Sequence, residues 1–308
     1  MDMQLHPAVL QASTKTALYR TTEQPEYFFS DQLSAYYDAD ARAIWCRWNP
    51  TPRPSFNPGL LQDLHSYCRF VAATQGSVEH FGESAPVDYA ILSSGVPGVF
   101  NLGGDLGLFI QLIEARDETG LGSYGKACVD VLYRNYIGHG LPITTISLVQ
   151  GECLGGGFEA ALSSDLIVAE RQARFGFPEI LFNLFPGMGA YSFLERKVGR
   201  RLTEELLSSG KIYSADDMLA LGVIDVVAET GAGAAEVAAI AKRQSRSRNG
   251  LAAIAAARRR VNGVAYEELM DVVRLWVEAA MRLTSRDLKL MQRLVSRQND
   301  IRTSASVH

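Results

Sequence analysis

The sequence predicts an α/β fold in which strands and helices alternate along one large unit, followed by a helical region. Apolar runs typical of strands occur at residues 41–48 (ARAIWCRW), 87–94 (VDYAILSS) and 143–149 (ITTISLV). Each run leads into a turn and then into a helical pattern. A strongly helical pattern covers residues 265–297. With 308 residues, 47% of them hydrophobic, the chain is long enough to bury a substantial core.

The elements between these runs follow from local patterns. After the first strand and a turn-rich segment, apolar residues recur at helical spacing: Leu60, Leu61, Leu64, Tyr67, Cys68 and Val71. Asp105 is suited to cap a helix that follows the second strand. After the third strand, glycines open a helix near Phe158 to Ser163, and a short strand, LIVA, comes directly behind it. Residues 222–228 (GVIDVVA) have a strand-like pattern.

The expected organisation is a tail at residues 1–25, a core with the active site at 26–213, a helical subdomain at 214–301 and a second tail at 302–308. The last long helical pattern carries a broad apolar stripe, wider than the helix of a monomer normally needs. Core packing, a subunit contact or the wall of a ligand pocket would each explain it. The stripe consists of Leu269, Met270, Val273, Trp276, Val277, Ala280 and Met281.

Composition and charge exclude several classes of protein. A net charge of −4 gives no overall attraction to nucleic acid or to a membrane surface. The four cysteines are far apart, which favours reduced, buried thiols over disulfides or a zinc site. The start of the chain has no signal-peptide pattern, and no stretch approaches the roughly 20 apolar residues that span a bilayer. We therefore expect a cytoplasmic protein. Gly155, Gly157 and Ala160 fit a dinucleotide fingerprint, but the next strand follows too soon for a crossover helix.

The first segment that can carry chemistry is FNLGGDL, residues 100–106. Its glycines allow a tight turn and leave backbone N–H groups at a helix start, where negative charge is held best. One interpretation is half of an oxyanion hole. The alternative is an ordinary glycine-rich turn, and this segment alone does not decide between them.

The second segment is GECLGGGFEAALSSDLIVA, residues 151–169. Three consecutive glycines at a helix start cost chain entropy, which indicates a need for close backbone approach or for bare N–H groups. Glu159 falls in the first turn of this helix. It is either a chemical group beside that anion site or a carboxylate that only stabilises the helix dipole.

The third segment is RFGFPEILFNLFPGMGAY, residues 174–191. It places Glu179 after Pro178 in an apolar and aromatic run that contains Phe175, Phe177, Ile180, Leu181 and Phe182. Desolvation there raises a carboxyl pKa and prepares the group to move protons near neutral pH. The alternative is a Pro-Glu helix start whose carboxylate points to water.

Together, these three segments resemble the crotonase (enoyl-CoA hydratase/isomerase) superfamily. The resemblance implies a spiral of ββα units with a C-terminal helical trimerisation subdomain. It implies an oxyanion hole for a thioester carbonyl made by the backbone N–H groups of Leu102 and Gly156. Glu159 and Glu179 match the two catalytic acids of the hydratase branch, with no metal or redox cofactor required. Supporting glycines are Gly103, Gly104, Gly155 and Gly157.

Within the superfamily, residues 27–61, FNLGGDL and FPEILFNLFPGMGAYSFLERKVG are similar to the bacterial diffusible-signal-factor synthases. This implies dehydration of a 3-hydroxyacyl chain on acyl carrier protein, followed by thioester hydrolysis to a cis-2-unsaturated fatty acid. It also implies a homotrimer or dimer of trimers and, for some relatives, a regulatory sensor kinase. Coenzyme A is the alternative carrier. The expected acyl pocket comprises Phe182, Met188, Gly189 and Trp276.

A run of basic residues in the acidic chain is a candidate docking patch for an acidic carrier protein, and a solvated helix face is the alternative. The run consists of Lys242, Arg243, Arg246, Arg248, Arg258, Arg259 and Arg260. Two other functions stay open. The first is a conventional 2-enoyl-CoA hydratase that leaves the thioester intact. The second is a non-catalytic binding module with a crotonase fold.

Overall fold

A computed structural model gives the backbone of residues 26–305 and the side chains of residues 26–296. The predicted N-terminal tail, residues 1–25, and the last three residues of the predicted C-terminal tail lie outside this range. The final helix continues to Ala305, past the expected boundary at residue 301.

Two sheets form the centre of the described chain. The larger has seven strands in the order β1-β2-β3-β6-β8-β10-β13. Its first three strands pair antiparallel, and the strands from β3 to β13 pair parallel. The strands are β1 (Glu26–Ser30), β2 (Leu33–Asp38), β3 (Ala43–Trp48), β6 (Tyr89–Ser94), β8 (Thr144–Val149), β10 (Leu166–Glu170) and β13 (Val226–Ala228). Every residue of β8 is buried, as expected for a central parallel strand.

The smaller sheet has the order β12-β11-β9-β7 and carries the loops of the site. Its strands are short: β7 (Val99–Asn101), β9 (Glu152–Leu154), β11 (Arg174–Gly176) and β12 (Ile212–Ser214). Because β7, β9 and β11 pair parallel, the segments that follow these three strands leave the sheet at the same edge. A separate hairpin joins β4 (Ser77–His80) to β5 (Glu83–Pro86).

Helices follow the strands and cover the sheets. They are α1 (Pro58–Ala73), α2 (Leu106–Glu114), α3 (Glu118–Tyr136), α4 (Gly156–Leu162), α5 (Ala190–Val198), α6 (Arg200–Ser209), α7 (Ala215–Ala220), α8 (Gly233–Gln244), α9 (Arg248–Val261), α10 (Tyr266–Met281) and α11 (Ser285–Ala305). A short 3-10 helix spans Pro178–Phe182. As predicted, Asp105 caps α2, its side chain accepting the N–H of Leu108. Within the described residues, no helix is long and apolar enough to cross a membrane.

The α/β fold class is confirmed, and the strongly helical stretch predicted over residues 265–297 contains two helices, α10 and α11. Its apolar stripe is largely core: Leu269, Val273, Trp276, Ala280 and Met281 are buried. The predicted domain boundary near residue 213 stays a prediction. Strand β13 lies on the C-terminal side of this boundary and pairs with β10, which lies on the N-terminal side, in the larger sheet. Strands β1 and β2 and helix α3 were not predicted as elements.

Candidate active site

A mostly apolar cavity contains the residues that the sequence singled out. Its walls come from α1, α2, α3, α4 and α10 and from the 3-10 helix Pro178–Phe182. The cavity is lined by both predicted glutamates, Glu159 and Glu179, and by Leu102 and Gly156. The structure therefore brings the three predicted segments together at one place.

The two glycine-rich loops touch each other, which explains why glycine is needed. Gly103 has φ +93°, and a Cβ there would lie 2.9 Å from the Gly156 nitrogen. A Cβ on Gly157 would lie 2.1 Å from the Asn101 carbonyl oxygen. Both positions exclude a side chain, as close backbone approach requires. The glycines hold the start of α4 against the first loop, which joins β7 to α2.

Glu159 lies in the first turn of α4 and is 1% exposed. Its Oε1 accepts the backbone N–H groups of Met188, at 2.8 Å, and of Ala190, at 3.0 Å. Burial raises the pKa of Glu159 to about 7, although these N–H groups and that of Gly189 favour the charged form and act in the opposite direction. The side chain is thus held in one orientation and titrates near neutral pH.

Glu179 lies in the 3-10 helix that follows β11. The residue is partly exposed, but its Oε2 is buried without a hydrogen-bond partner among the described residues. Burial raises the pKa of Glu179 to about 8, and the negative charge of Glu159 adds to the rise. This electrostatic coupling requires the two carboxyls to be near each other. Between these two pKa values the pair therefore carries about one proton, which lies mostly on Glu179.

The N–H of Leu102, the predicted oxyanion donor, is already hydrogen-bonded within the fold. It donates to the carbonyl of Pro54 at 2.8 Å, because residues 51–56 fold back along the first loop. The next amide, of Gly103, donates to Asn101 Oδ1 at 2.8 Å. The Leu102 amide can therefore reach a ligand only if its bond to Pro54 breaks.

Two other amides remain beside Glu159. The amides of Gly104 and Gly156 have no acceptor among the described residues, and both glycines line the cavity. A Cβ built on Gly156 would lie 3.4 Å from the Gly104 nitrogen, so the two backbones are in contact. Gly156 keeps its predicted place at the site, and Gly104, predicted only as a supporting glycine, offers the second N–H.

The predicted acyl pocket is placed only in part. Phe182, Met188 and Trp276 line the cavity. Gly189 is not among the lining residues; it precedes α5 with φ +137°, and a Cβ there would meet the ring of Phe193 at 2.5 Å. Its role is to let the backbone turn toward the Glu159 carboxylate.

The apolar surroundings predicted for Glu179 also divide into two groups. Phe175, Phe177 and Phe182 are buried, as expected. Ile180 and Leu181 are instead 40% and 55% exposed. Leu181 also lines the cavity, so it forms part of its opening to solvent.

Several polar residues of the cavity were missed by sequence reasoning. Tyr67, Asn135, His139 and Ser163 line it, and all are buried; we call this buried polar part the inner end of the cavity. Glu152 adds a third carboxyl, with Oε2 buried and unpartnered among the described residues. Distant along the chain, these residues share no spacing that a pattern search detects. The signal that reveals Tyr67, Asn135, His139 and Glu152 is a buried polar atom without a partner among the described residues.

The other groups singled out by sequence are also placed. All four cysteines are buried and free, as predicted. In the basic run, four arginines form ion pairs with acidic residues of the same chain: Arg243 with Glu236, Arg248 with Asp88, and Arg258 and Arg259 with Asp165. Lys242, Arg246 and Arg260 form no ion pair within the described residues.

Similar structures support the same fold. Human mitochondrial Δ3-Δ2-enoyl-CoA isomerase has a TM-score of 0.70 at 20% identity, covering 88% of this chain and 99% of that chain. Enoyl-CoA hydratase from Bacillus halodurans has a TM-score of 0.69 at 20% identity, covering 85% of this chain and 100% of that chain. At these identities the likeness shows the fold.

Sequence comparison identifies the family. Mevalonyl-coenzyme A hydratase SIDH of Beauveria bassiana is 42% identical over 86 residues, 28% of this chain and 31% of that protein. The chain thus matches less than a third of that relative's length. Residues 69–296 match the family described as enoyl-CoA hydratase/isomerase. Because this match covers more than half of the 308 residues, the chain belongs to the enoyl-CoA hydratase/isomerase family, the crotonase superfamily.

Proposed function

We propose that the protein dehydrates a 3-hydroxyacyl thioester and then hydrolyses it, releasing a cis-2-unsaturated fatty acid of the diffusible-signal-factor type. The observation that carries the chemistry is the pair of coupled carboxyls in one apolar cavity, Glu159 with a pKa of about 7 and Glu179 with a pKa of about 8. Such a pair can supply an acid and a base at the same pH.

The dehydration step starts from the singly protonated pair with the proton on Glu159 and the negative charge on Glu179. This is the less populated of the two singly protonated forms, because Glu179 has the higher pKa. Ionised Glu179 removes the α-proton, and the negative charge moves to the thioester oxygen. The electron pair then forms the carbon-carbon double bond as the 3-hydroxyl leaves, and Glu159 protonates it to water. One proton enters Glu179 and one leaves Glu159, so the pair must exchange a proton before the next cycle.

The developing negative charge needs fixed donors. We assign this role to the backbone N–H groups of Gly156 and Gly104, since the Leu102 amide is bound to Pro54. A preorganised donor of this kind is typically worth roughly 2.7 to 4 kcal/mol of transition-state stabilisation. In the hydrolysis step, a carboxylate of the pair takes a proton from a water molecule as the water oxygen attacks the same carbonyl carbon. The C–S bond then breaks, and the departing thiolate takes up that proton to give the free carrier thiol.

The finer assignment is supported by the likeness of residues 27–61, 100–106 and 177–199 to signal-factor synthases and by the apolar lining of the cavity. A cytoplasmic location, a homotrimer or dimer of trimers, and a regulatory sensor kinase are parts of this proposal. Acyl carrier protein is the proposed carrier. The basic residues of the run that form no ion pair within the described residues, and so are free to dock it, are Lys242, Arg246 and Arg260. This patch is smaller than the sequence indicated.

The test is product analysis with 3-hydroxyacyl thioesters of graded chain length, carried on acyl carrier protein or on coenzyme A. We expect a free fatty acid two hydrogens and one oxygen lighter than the 3-hydroxy acid, with one equivalent of carrier thiol released per acid. Mass spectrometry and a thiol assay measure the two products, and chromatography against cis and trans standards identifies the double bond. Unsaturated thioester without free thiol would contradict the hydrolysis step.

A second candidate, conventional hydration of a 2-enoyl-CoA, is favoured by the family itself. The same experiment separates it, because a hydratase acting in reverse converts a 3-hydroxyacyl thioester only to the 2-enoyl thioester and leaves the thiol blocked. The third function, a non-catalytic binding module, predicts that no thioester of the series changes on either carrier. Raised carboxyl pKa values in a cavity favour a catalytic role over this alternative.

A further inference from the structure

The inner end of the cavity has polar side chains for which the proposed reaction has no use. Tyr67, Asn135, His139 and Ser163 line it and are each at most 2% exposed. Ser163 follows Glu159 by four residues at the end of α4, on the same face of the helix. At about 1.5 Å per residue, the cluster begins about 6 Å along α4 from the reacting carboxyl.

Hydrogen bonds fix the orientation of the Asn135 amide. The Ser163 hydroxyl donates to the Ala160 carbonyl at 2.7 Å, so its oxygen is left to accept. Asn135 Nδ2 donates to Ser163 Oγ at 2.9 Å and to Ser164 Oγ at 3.0 Å. The NH₂ group is therefore committed to these serines. Asn135 Oδ1 is a buried acceptor without a donor among the described residues.

Two rings that line the same cavity, those of Tyr67 and His139, also have unused polar atoms. The Tyr67 hydroxyl and both ring nitrogens of His139 are buried without partners within the described residues. The rings meet edge to face at a centroid distance of 5.8 Å. His139 has φ +56°, a strained backbone that a residue with a side chain rarely adopts. Such strain persists where the fold enforces it, commonly at ligand sites.

The chemistry of the cluster favours an uncharged partner that both donates and accepts. Burial, and then the positive charge of Arg134, lower the pKa of His139 to about 4, so its ring is neutral at physiological pH. Asn135 Oδ1 needs a donor, and the Tyr67 hydroxyl can donate in return. A carboxylate can accept from the Tyr67 hydroxyl but cannot donate to Asn135 Oδ1, and it brings a charge into a buried, uncharged site. A hydroxyl group satisfies both.

We propose that the inner end of the cavity binds a hydroxyl group on the distal part of the acyl chain, held by Tyr67, Asn135 and His139. This inference rests on the proposed function, because it places the acyl chain in the cavity with its reacting carbons at the two glutamates. It narrows the substrate class to acyl thioesters with a second hydroxyl far from the thioester.

The first test compares substrates of matched length that end in a methyl or in a hydroxymethyl group. At the length that fits, we expect kcat/KM for the hydroxylated chain to exceed that for the plain chain at least about tenfold, because a site built for a hydroxyl rejects the analogue without it. Tyr67→Phe should bring this ratio close to one. Tyr37→Phe is the matched control and should keep the wild-type ratio, because the Tyr37 hydroxyl donates to Pro86 outside the cavity.

A ratio of one or less at every length in the wild-type protein would overturn the inference, whatever the variants do. The cluster would then hold water alone.

The second test measures binding without turnover, by calorimetry with non-hydrolysable thioether analogues of the same two chains. Tighter binding of the hydroxylated analogue without turnover of any thioester would support the hydroxyl-binding site and contradict the proposed reaction. Equal binding with turnover of both chains would contradict the hydroxyl site and leave the reaction standing. Absence of both binding and turnover would contradict both.

Discussion

The Oε1 atom of Glu179 occupies the space beside Gly155, where a Cβ would lie only 2.4 Å away from it. Gly155 also has φ +52°, a conformation that favours glycine. The glycine before α4 therefore sets the position of the second carboxyl as well as the path of the chain. This contact links the second and third sequence segments directly.

Gly155→Ala should displace Glu179 and lower kcat about 100-fold, since a displacement of about 1 Å at a reacting group has effects of that size. Steady-state kinetics on the thioester that the wild-type protein converts best measures the change. Gly222→Ala is the matched control, because Gly222 has φ +73° with nothing within 4 Å. The Gly222→Ala variant has the same kind of backbone strain but no contact with a catalytic side chain. An equal loss of kcat in both variants would therefore refute the role of Gly155 in positioning Glu179.

The raised pKa values predict how stability depends on pH. Both carboxyls titrate near 7 to 8 in the folded protein and near 4.3 in an unfolded chain. Between these values the folded state binds more protons than the unfolded state, so the contribution of the pair to stability is complete below about pH 4.3. It is lost as the pH rises through about 7 to 8.

Glu179→Gln removes this dependence for one carboxyl. The melting temperature of the variant minus that of the wild type should therefore increase as the pH is raised from about 5 to about 8. Thermal unfolding followed by circular dichroism at both pH values measures it. Glu205→Gln, at an exposed position of α6, should show no such change. A Glu179→Gln difference that stays constant or decreases with pH would show that the pKa is not raised.

A third prediction concerns the packing of α10 on α3. A Cβ on Gly125 would lie 2.6 Å from Cγ1 of Val273, which is 1% exposed. Gly125→Ala should therefore lower the free energy of unfolding by about 1–3 kcal/mol through overpacking. Gly122→Ala, in the same helix with nothing within 4 Å, should raise it by roughly 0.5–1 kcal/mol. Urea unfolding distinguishes the two, and equal effects would contradict the close helix contact.

Much of the site followed from local sequence patterns. The run of glycines at 155–157 predicted close backbone approach, and the structure has it at Gly103 and Gly157. The apolar run around Glu179 predicted a desolvated carboxyl, which its raised pKa reflects. These features were predictable because each depends on residues that are neighbours in the chain.

Other features depend on contacts between distant segments. The Leu102 amide is engaged because residues 51–56 return to the first loop, and a turn-rich sequence does not show where its chain returns. The inner polar cluster joins α1, α3, α4 and the Gly138–Gly140 turn. Helix α3 was missed because glycines at 120, 122 and 125 weaken its helical pattern, although packing on α10 holds it.

The central claim is that Glu159 and Glu179 act together as acid and base on a thioester. The most direct measurement is the turnover of Glu159→Gln and Glu179→Gln beside Glu205→Gln, with the thioester that the wild-type protein converts best. We predict that each of the first two variants loses roughly 100-fold or more in kcat, while the control keeps the wild-type rate. Wild-type turnover in either Glu159→Gln or Glu179→Gln would contradict the account.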